Sequence, residues 1–337
     1  MRIALDAMGG DRAPREIVAG AILASQQYND IELLLVGREA ELKEELAGKD
    51  YSAARITIIN AAEVIGMDES PSKAIRQKRD SSLVKALKLL KEKEADAFIS
   101  AGNTGAVMAG SLLILGRLKG IKRPSILINF PSAGGQTMVM DNGANIDSKP
   151  EHLLQYALMG QVYARQVIKK SRPRVGLLSI GEEKEKGTQL VKDTYELLTS
   201  EQKITNFIGN VEGRDIFNGS CDLVVCDGFI GNIILKTTEG VASYIFQLLK
   251  NMLNSNWRAK MGALLLKPYL KKMKEKVDYR QYGGAPLLGV NGVVIISHGS
   301  SDSLAILNAI KVAKETAAGK IVNIIEEEII KDGEING

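Results

Sequence analysis

Short apolar segments that end in glycine-rich turns recur along the chain and constrain its fold most strongly. Residues 2–5, 97–100 and 175–180 are such segments, and helical apolar spacing separates them, as between Leu83 and Leu90. Short, continuously apolar strands that alternate with helices are typical of a mostly parallel sheet covered on both faces. The sequence therefore predicts an α/β fold, a three-layer α/β/α sandwich.

Composition excludes several other classes of protein. The 337 residues are 45% hydrophobic, which is enough for a large core. No apolar run reaches 18 residues, so no membrane-spanning helix is predicted. The first residues read as a strand and not as a signal peptide, so we expect a cytoplasmic protein.

Two cysteines and two histidines argue against a disulfide framework or a metal site. A net charge of +4 does not indicate nucleic-acid binding.

The turns that follow the strands are the predicted site, because ligands of parallel sheets bind outside the carboxyl ends of the strands. We expect these turns to share one edge of the sheet. A glycine-rich turn that opens a helix points backbone N–H groups at a bound anion. In the turn 102–105, Asn103 can cap the helix and Thr104 adds a hydroxyl. One such turn alone is more often only structural, whereas several together favour a phosphate-sized anion or a nucleotide.

Other catalytic patterns have weaker support. The spacing of a dinucleotide fingerprint and of a P-loop is absent. Cys226 lies in an apolar segment, where an inert buried thiol is the better interpretation. His298 with its neighbouring serines and Asp302 suggests a triad, but a helix cap explains these residues better. For Lys184, a solvated charge run and an anion ligand fit equally well.

Five motifs together resemble one family, the bacterial phosphate acyltransferases of phospholipid synthesis. They occur in order along the whole chain: Asp-Ala-Met-Gly-Gly-Asp at 6–11, Ser-Ala-Gly-Asn-Thr-Gly at 100–105, Asp-Asn-Gly-Ala-Asn at 141–145, Cys-Asp-Gly-Phe-Ile-Gly-Asn at 226–232 and Tyr-Gly-Gly-Ala-Pro-Leu-Leu-Gly-Val-Asn-Gly at 282–292.

The resemblance implies an acyltransferase that moves a long-chain fatty acyl group from acyl-[acyl carrier protein] to inorganic phosphate. It implies no cofactor and no metal. It also implies a homodimer and a fold related to the phosphate acetyltransferases and the isocitrate and isopropylmalate dehydrogenases. The product, an acyl phosphate, would feed a membrane glycerol-3-phosphate acyltransferase in phosphatidic acid synthesis.

The chemistry of this reaction matches the residues that the sequence offers. Phosphate is already anionic, and the leaving thiol has a pKa of about 8.5, so orientation and oxyanion donors matter more than a strong base. We expect four catalytic residues: Lys184 as a charge partner of phosphate, Asn232 as a donor to the thioester oxygen, Asp227 to position donors, and His298 to protonate the thiolate. The expected substrate-binding residues are Asp6, Gly9, Gly10, Gly102, Asn103, Thr104, Gly105, Asp141, Asn142, Gly228 and Gly231.

One segment departs from the strand–helix pattern. Residues 248–280 carry nine lysines and arginines against two acids, which gives this segment +7 and the rest of the chain −3. Apolar residues alternate with these cations, which predicts two amphipathic helices joined by a turn at 254–256. We predict a single catalytic core, 1–247 and 283–337, with 248–282 as an inserted basic helical hairpin.

Three roles stay open for this hairpin: packing of the dimer, docking of the acidic carrier protein, and peripheral contact with an anionic membrane. The residues expected in the membrane or partner contact are Trp257, Met261, Leu264, Leu265 and Lys267. Two other functions also stay open: a short-chain phosphate acetyl- or butyryltransferase that uses coenzyme A, and a non-catalytic phosphate- or nucleotide-binding module.

Overall fold

A computed structural model describes residues 1–277 and 283–330. The chain begins with β1 (Arg2–Asp6), α1 (Arg15–Gln27), β2 (Glu32–Gly37), α2 (Glu39–Leu46), β3 (Ile56–Asn60), α3 (Pro71–Gln77), α4 (Ser82–Lys91), β4 (Ala97–Ser100) and α5 (Thr104–Gly110), which a π-helical turn at Ser111–Leu115 continues. It goes on with β5 (Ser125–Ser132), β6 (Gly135–Met140), α6 (Pro150–Gln166), β7 (Val175–Leu178), α7 (Gln189–Ser200), β8 (Phe207–Val211), α8 (Asp215–Asn218) and β9 (Leu223–Val225). The last elements are α9 (Gly228–Leu253), α10 (Trp257–Val277), β10 (Ala285–Leu288), β11 (Val293–Ile296), α11 (Ser303–Ala318) and α12 (Ile321–Ile330).

Within the described ranges, eleven strands form one sheet in the order β3-β2-β1-β4-β11-β10-β5-β6-β9-β7-β8. The five strands from β3 to β11 are parallel, and so are the four strands from β6 to β8. Strand β10 is antiparallel to both of its neighbours, and β5 and β6 form an antiparallel hairpin. The predicted α/β sandwich with a mostly parallel sheet is confirmed.

The direction of the strands corrects one expectation about the site. Between β11 and β6 the chain direction reverses an odd number of times, so the two parallel groups run in opposite directions. The carboxyl ends of β1, β4 and β11 therefore lie at one edge of the sheet, and those of β6, β9 and β7 lie at the other. The prediction that all the glycine-rich turns share one edge is wrong, because strand–helix alternation does not reveal where an antiparallel strand enters a sheet.

Helices cover both faces of the sheet. On one face, α1, α2 and α11 pack on the first group of strands, and α6, α7 and α12 pack on the second. On the other face, residues of α3, α4 and α5 form one core, and α8 with Ile234 and Leu235 of α9 forms another around β6 and β9. Ile128 of β5 packs against both of these cores. The starts of α5 and α9 thus lie on the same face, on either side of β5.

The hairpin formed by α9 and α10 projects from this core. Its turn lies at 254–256, where the sequence predicts it. Large apolar side chains along it are exposed, including Tyr244 at 65% and Leu265 at 76%. In the part of the chain that the structure describes, no helix is both long enough and apolar enough to cross a bilayer. The predicted boundary at 247/248 falls inside α9, the boundary at 282/283 adjoins residues outside the described ranges, and this division of the chain stays a prediction.

Candidate active site

A buried carboxylate organises the turn after β1. Asp6 accepts hydrogen bonds from the Ser82 hydroxyl at 2.5 Å and from the Ser100 hydroxyl at 2.7 Å. Burial raises the pKa of the Asp6 carboxyl, and the two hydroxyl bonds oppose that shift. Asp6 therefore holds β1, β4 and the start of α4 together, and both of its carboxylate oxygens are used inside the protein. This geometry is that of a group that positions the surrounding loops, and a direct contact of Asp6 with substrate stays a prediction.

The turn at 102–105 is connected to Asp6 through Ser100. The Ser100 hydroxyl donates to Asp6 and accepts from the N–H of Gly102 at 3.0 Å. Gly9 packs closely against Gly102 and Asp6. A Cβ on Gly9 would lie 2.9 Å from the nitrogen of Gly102 and 2.5 Å from a carboxylate oxygen of Asp6. Gly10 has a φ of +111°, which favours glycine. Side chains at Gly9 and Gly10 would fill the space beside the 102–105 turn, so glycine suits both positions.

Asn103 caps α5 as predicted. Its side-chain oxygen accepts from the N–H of Ala106 at 3.0 Å, and its amide nitrogen donates to the carbonyls of Met67 and Glu69 at 2.8 and 3.2 Å. Thr104 is exposed at the first helical position. The first turn of a helix carries N–H groups without partners inside the helix. The fixed cap and the exposed Thr104 leave this helix start open to an anion.

A second buried carboxylate organises the opposite edge. Asp141 accepts from the N–H groups of Ile126 at 2.9 Å and Asn142 at 2.8 Å, and from the N–H and side-chain amide of Asn145 at 2.7 and 3.0 Å. Burial raises the pKa of the Asp141 carboxyl, and these hydrogen bonds oppose the shift. Asn142 is buried and donates to the carbonyl of Val139 at 2.6 Å. Both side chains therefore shape the loop 141–145.

The start of α9 is fitted against this loop. Asp227 caps the helix by accepting from the N–H of Ile230 at 3.0 Å. Gly228 and the loop exchange two backbone bonds of 3.0 Å, from Gly228 to the carbonyl of Asn145 and from Gly143 to the carbonyl of Gly228. A Cβ on Gly231 would lie 1.9 Å from the carbonyl oxygen of Asp141. Asn232 is exposed directly after this contact.

The loop 141–145 contacts elements on both sides of β5. Ala144 packs against the core that contains α5, while a Cβ on Gly143 would lie 3.6 Å from Asn232 of α9. The turn at 102–105 and the start of α9 lie on one face of the sheet. The two helix starts thus open on the same face of the sheet but at opposite ends of its strands, and each can stabilise negative charge.

His298 lies at the edge that carries the 102–105 turn. It follows β11, it is exposed, and its Nδ1 lies 2.8 Å from the Ser300 hydroxyl. Its neighbour Gly299 accepts from the N–H of Asp11 at 2.8 Å. Asp302 caps α11 through the N–H of Ala305 at 3.0 Å. Asp302 is thus engaged at the helix start, which supports the cap interpretation over a triad.

Lys184 lies away from the 102–105 turn. It follows β7, whose carboxyl end is at the opposite edge from that of β4. Its amino group pairs with Glu196 at 2.7 Å and lies 5.8 Å from the ring centre of Tyr195. The Glu196 carboxylate raises the pKa of this exposed amine. The strand directions therefore do not bring Lys184 to the predicted phosphate loop.

The two cysteines are buried thiols. Cys226 points its sulfur at the carbonyl of Asp141 at 3.6 Å, and burial raises its pKa well above the usual value. Burial also raises the pKa of Cys221 to about 11. Both are therefore protonated near neutral pH, and neither is prepared to act as a nucleophile.

Sequence reasoning missed three polar residues that build the site. Ser82 and Ser100 bind Asp6, and Asn145 binds Asp141. Ser100 and Asn145 lie inside the quoted motifs, so they could have been found there. Ser82 is 76 residues from Asp6 in the sequence, and only its place at a helix start could have drawn attention to it. Tyr282, the first residue of the fifth motif, lies outside the described residues.

Comparison with protein families gives a match along nearly the whole chain. Residues 1–323 match the model of a family described as fatty acid synthesis protein. A phosphate acyltransferase of Halothermothrix orenii is 62% identical over 334 residues, which are 99% of this chain and 100% of that relative. A phosphate acyltransferase of Desulfitobacterium hafniense is 53% identical over 330 residues, or 98% of each chain.

Solved structures share the fold at low sequence identity. A phosphotransacetylase from Streptococcus pyogenes matches with a TM-score of 0.62 and 17% identity over 94% of both chains. The EutD phosphotransacetylase from Staphylococcus aureus matches with a TM-score of 0.59 and 14% identity over 94% of this chain and 93% of its own. These likenesses show that the chain has the fold of these phosphotransacetylases, as predicted.

Proposed function

The chain belongs to the phosphate acyltransferase family, and from this premise we propose that it transfers a long-chain fatty acyl group from acyl-[acyl carrier protein] to inorganic phosphate. A phosphate oxygen attacks the thioester carbonyl carbon, the carbonyl oxygen becomes an oxyanion, and the C–S bond breaks. The products are an acyl phosphate and the free thiol of the carrier protein. The acyl phosphate is the substrate of a glycerol-3-phosphate acyltransferase that leads to phosphatidic acid.

One observation carries this proposal: the starts of α5 and α9 open on the same face of the sheet, at opposite strand ends, and the loop 141–145 contacts elements on both sides of β5. A helix start stabilises negative charge, whether on a bound phosphate or on a developing oxyanion. Two of them permit one to hold the nucleophile and the other the thioester oxygen. Placing both reactants in contact supplies a large part of such an enzyme's rate enhancement.

The predicted residues take roles according to their position. The turn Gly102, Asn103, Thr104 and Gly105 binds phosphate, and Gly9 and Gly10 leave room beside it. Asn232 and the backbone of 228–231 donate to the thioester oxygen. The carboxylates of Asp6, Asp141 and Asp227 act as positioning groups through the hydrogen bonds described above. His298 protonates the departing thiolate, and Lys184 attracts the anionic substrates to the cleft from the opposite edge.

The hairpin of α9 and α10 supplies the surfaces for the proposed homodimer and membrane contacts. The apolar residues Val241, Tyr244, Ile245, Leu248 and Met252 of α9 are all more than 40% exposed. Monomeric proteins rarely expose a continuous apolar strip of this kind. We assign it to a homodimer contact. The basic and apolar tip, with Trp257, Met261, Leu264, Leu265 and Lys267, is assigned to peripheral attachment of this cytoplasmic enzyme to anionic membrane.

The decisive experiment offers phosphate with either palmitoyl-carrier protein or acetyl-coenzyme A and measures thiol release. We expect release from the carrier substrate only, and none when phosphate is omitted. Release from acetyl-coenzyme A alone would identify a short-chain enzyme. Phosphate binding without any thiol release would identify a binding module.

Substitution tests the individual roles in the same assay. Asn232→Ala is expected to lower kcat by about 100-fold, as loss of an oxyanion donor does in other enzymes. Asn251→Ala on the distal part of α9 is the matched control and is expected to keep full turnover. Normal kcat in a folded Asn232→Ala protein would remove Asn232 from the mechanism.

Membrane attachment has its own test. Flotation with anionic liposomes is expected for the wild type and is expected to be lost in Leu264→Glu/Leu265→Glu. Equal flotation of both proteins would count against attachment through this tip.

A further inference from the structure

Helix α3 presents a cationic face beside the 102–105 turn. Ala74 and Ile75 bury one side of the helix, whereas Lys73 and Arg76 are exposed on the other side, and the exposed Arg79 lies two residues after the helix ends. The remaining exposed residues of this face, Ser72 and Gln77, are polar. The face therefore combines positive charge with hydrogen-bonding groups and has no exposed large apolar side chain.

The acids that flank this face are largely occupied by other lysines. Glu69 pairs with Lys78 at 2.5 Å, and Asp80 pairs with Lys85 at 2.5 Å. These lysines lower the pKa of both carboxyls.

The described structure assigns no ion pair to Lys73, Arg76 or Arg79, and Asp68 is the one further exposed acid between residues 68 and 80. Three cations thus stand against one acid, and a positive field extends into solvent.

This face is coupled directly to the phosphate loop. Pro71, the first residue of α3, lies 2.7 Å from the position of a Cβ on Gly105. The preceding segment is held by Asn103, which donates to the carbonyls of Met67 and Glu69. Arg76 is five residues from Pro71, or about 8 Å along the helix. A partner bound at this face would thus sit at the mouth of the proposed phosphate site.

The reach of the carrier protein's arm distinguishes the α3 face from the tip of the basic hairpin as a docking surface. A carrier protein delivers its thioester on a flexible arm of about 15 bonds, the length of about five extended residues or about 17 Å. Lys250 is 22 residues beyond Gly228 on one continuous helix, which places it about 33 Å away. A carrier protein docked beside Lys250, at the tip of the hairpin of the same chain, could not place its thioester at the start of α9.

We propose that the acidic acyl carrier protein docks on the face formed by Lys73, Arg76 and Arg79, and not on the cations at the tip of the hairpin, Lys250, Arg258 and Lys260. This inference rests on the proposed function, and it names the surface that recognises the substrate's protein part. An acidic helix of the carrier protein meets the three cations, and its arm enters past Asn103. Charge complementarity of this kind acts mainly on the rate of association.

The test compares two charge-reversed triples of equal charge. Lys73→Glu/Arg76→Glu/Arg79→Glu changes the α3 face, and Lys250→Glu/Arg258→Glu/Lys260→Glu changes the hairpin. Steady-state kinetics are measured with palmitoyl-carrier protein and with palmitoyl-pantetheine, which has the arm without the protein. All six residues are exposed, and circular dichroism checks that both variants fold.

We expect the α3 triple to raise KM for palmitoyl-carrier protein about tenfold or more, with kcat and the pantetheine substrate unchanged. We expect the hairpin triple to leave that KM within twofold of wild type. A larger rise in the hairpin triple, or equal rises in both, would overturn the proposal. Absence of turnover by the wild type with either substrate would instead refute the proposed function.

Discussion

The two halves of α9 have very different surroundings. At its start, Gly228 and Gly231 touch the loop 141–145 so closely that a Cβ on either would lie within 2.6 Å of a backbone oxygen. In its distal half, a Cβ on Gly240 would meet nothing within 4 Å. The first half is held by the core, and the second exposes apolar side chains to solvent. One helix therefore belongs both to the candidate site and to the exposed hairpin.

Glycine is required by the packing at the start of α9, but no contact requires it in the distal half. The glycines of the first turn are required because the backbone of Asp141 occupies the space of a side chain. The distal glycine is not required by any contact within the described chain. Substitutions at matched positions can therefore test whether the two regions are as distinct as the structure indicates.

The largest effect is expected for Gly231→Ala. The new methyl group would meet the carbonyl oxygen of Asp141 at 1.9 Å, and the hydrogen bonds to the Asp141 carboxylate hold that residue in place. We expect a loss of about 3 kcal/mol in the free energy of unfolding, together with loss of acyl transfer. Denaturant titration and the thiol-release assay measure both. A folded, fully active variant would show that the start of α9 is not fixed.

Asp6→Asn is expected to cost about 1–3 kcal/mol, because an amide nitrogen replaces one acceptor of the two serine hydroxyls. The cost depends on pH. The folded pKa of Asp6 is raised, so the wild type loses stability as pH rises from about 3.9 through that folded pKa. Asparagine does not titrate, so the gap between variant and wild type narrows as pH rises.

Unfolding titrations at a series of pH values measure this gap. The control is Asp147→Asn, at an exposed position of the loop after β6, which is expected to stay within about 0.5 kcal/mol of wild type. A gap for Asp6→Asn that widens with pH would contradict the assignment of Asp6 as a desolvated carboxyl.

Two asparagines at helix starts allow a direct comparison of the regions. Asn103 caps α5 in the site, and Asn256 accepts from the N–H of Ala259 at 2.9 Å at the start of α10 in the hairpin. Each change to alanine is expected to cost about 1 kcal/mol or less of helix stability. Only Asn103→Ala is expected to raise KM for phosphate as well. If both variants had the same KM for phosphate, the cap of α5 would have no role in binding phosphate.

The smallest effect is expected for Gly240→Ala, and it has the opposite sign. Alanine in an exposed helix interior is more stable than glycine by about 0.5–1 kcal/mol, and the structure offers no obstacle to the methyl group. Thermal unfolding of Gly240→Ala is the measurement. A loss of stability would show that a second chain packs against Gly240, and it would sharpen the comparison by locating the dimer contact.

Local features of the site could be predicted from the sequence, whereas features that depend on distant pairing could not. The cap at Asn103, the turn at 254–256 and the inert Cys226 follow from neighbouring residues. The split of the loops between two edges depends on how β10 and the β5–β6 hairpin enter the sheet, and no local pattern encodes that. The partner of Lys184 was missed for a related reason, since an exposed lysine can reach several acids.

The continuity of α9 also has a mechanical consequence. From Gly228 to Leu253 the helix runs for 26 residues, about 39 Å, from the loop that holds Asp141 to the tip of the hairpin. A single helix of this length is stiff, and Gly231 fits closely against the loop near its start. A molecule that anchors the far end would therefore also constrain the angle at which the near end meets the loop.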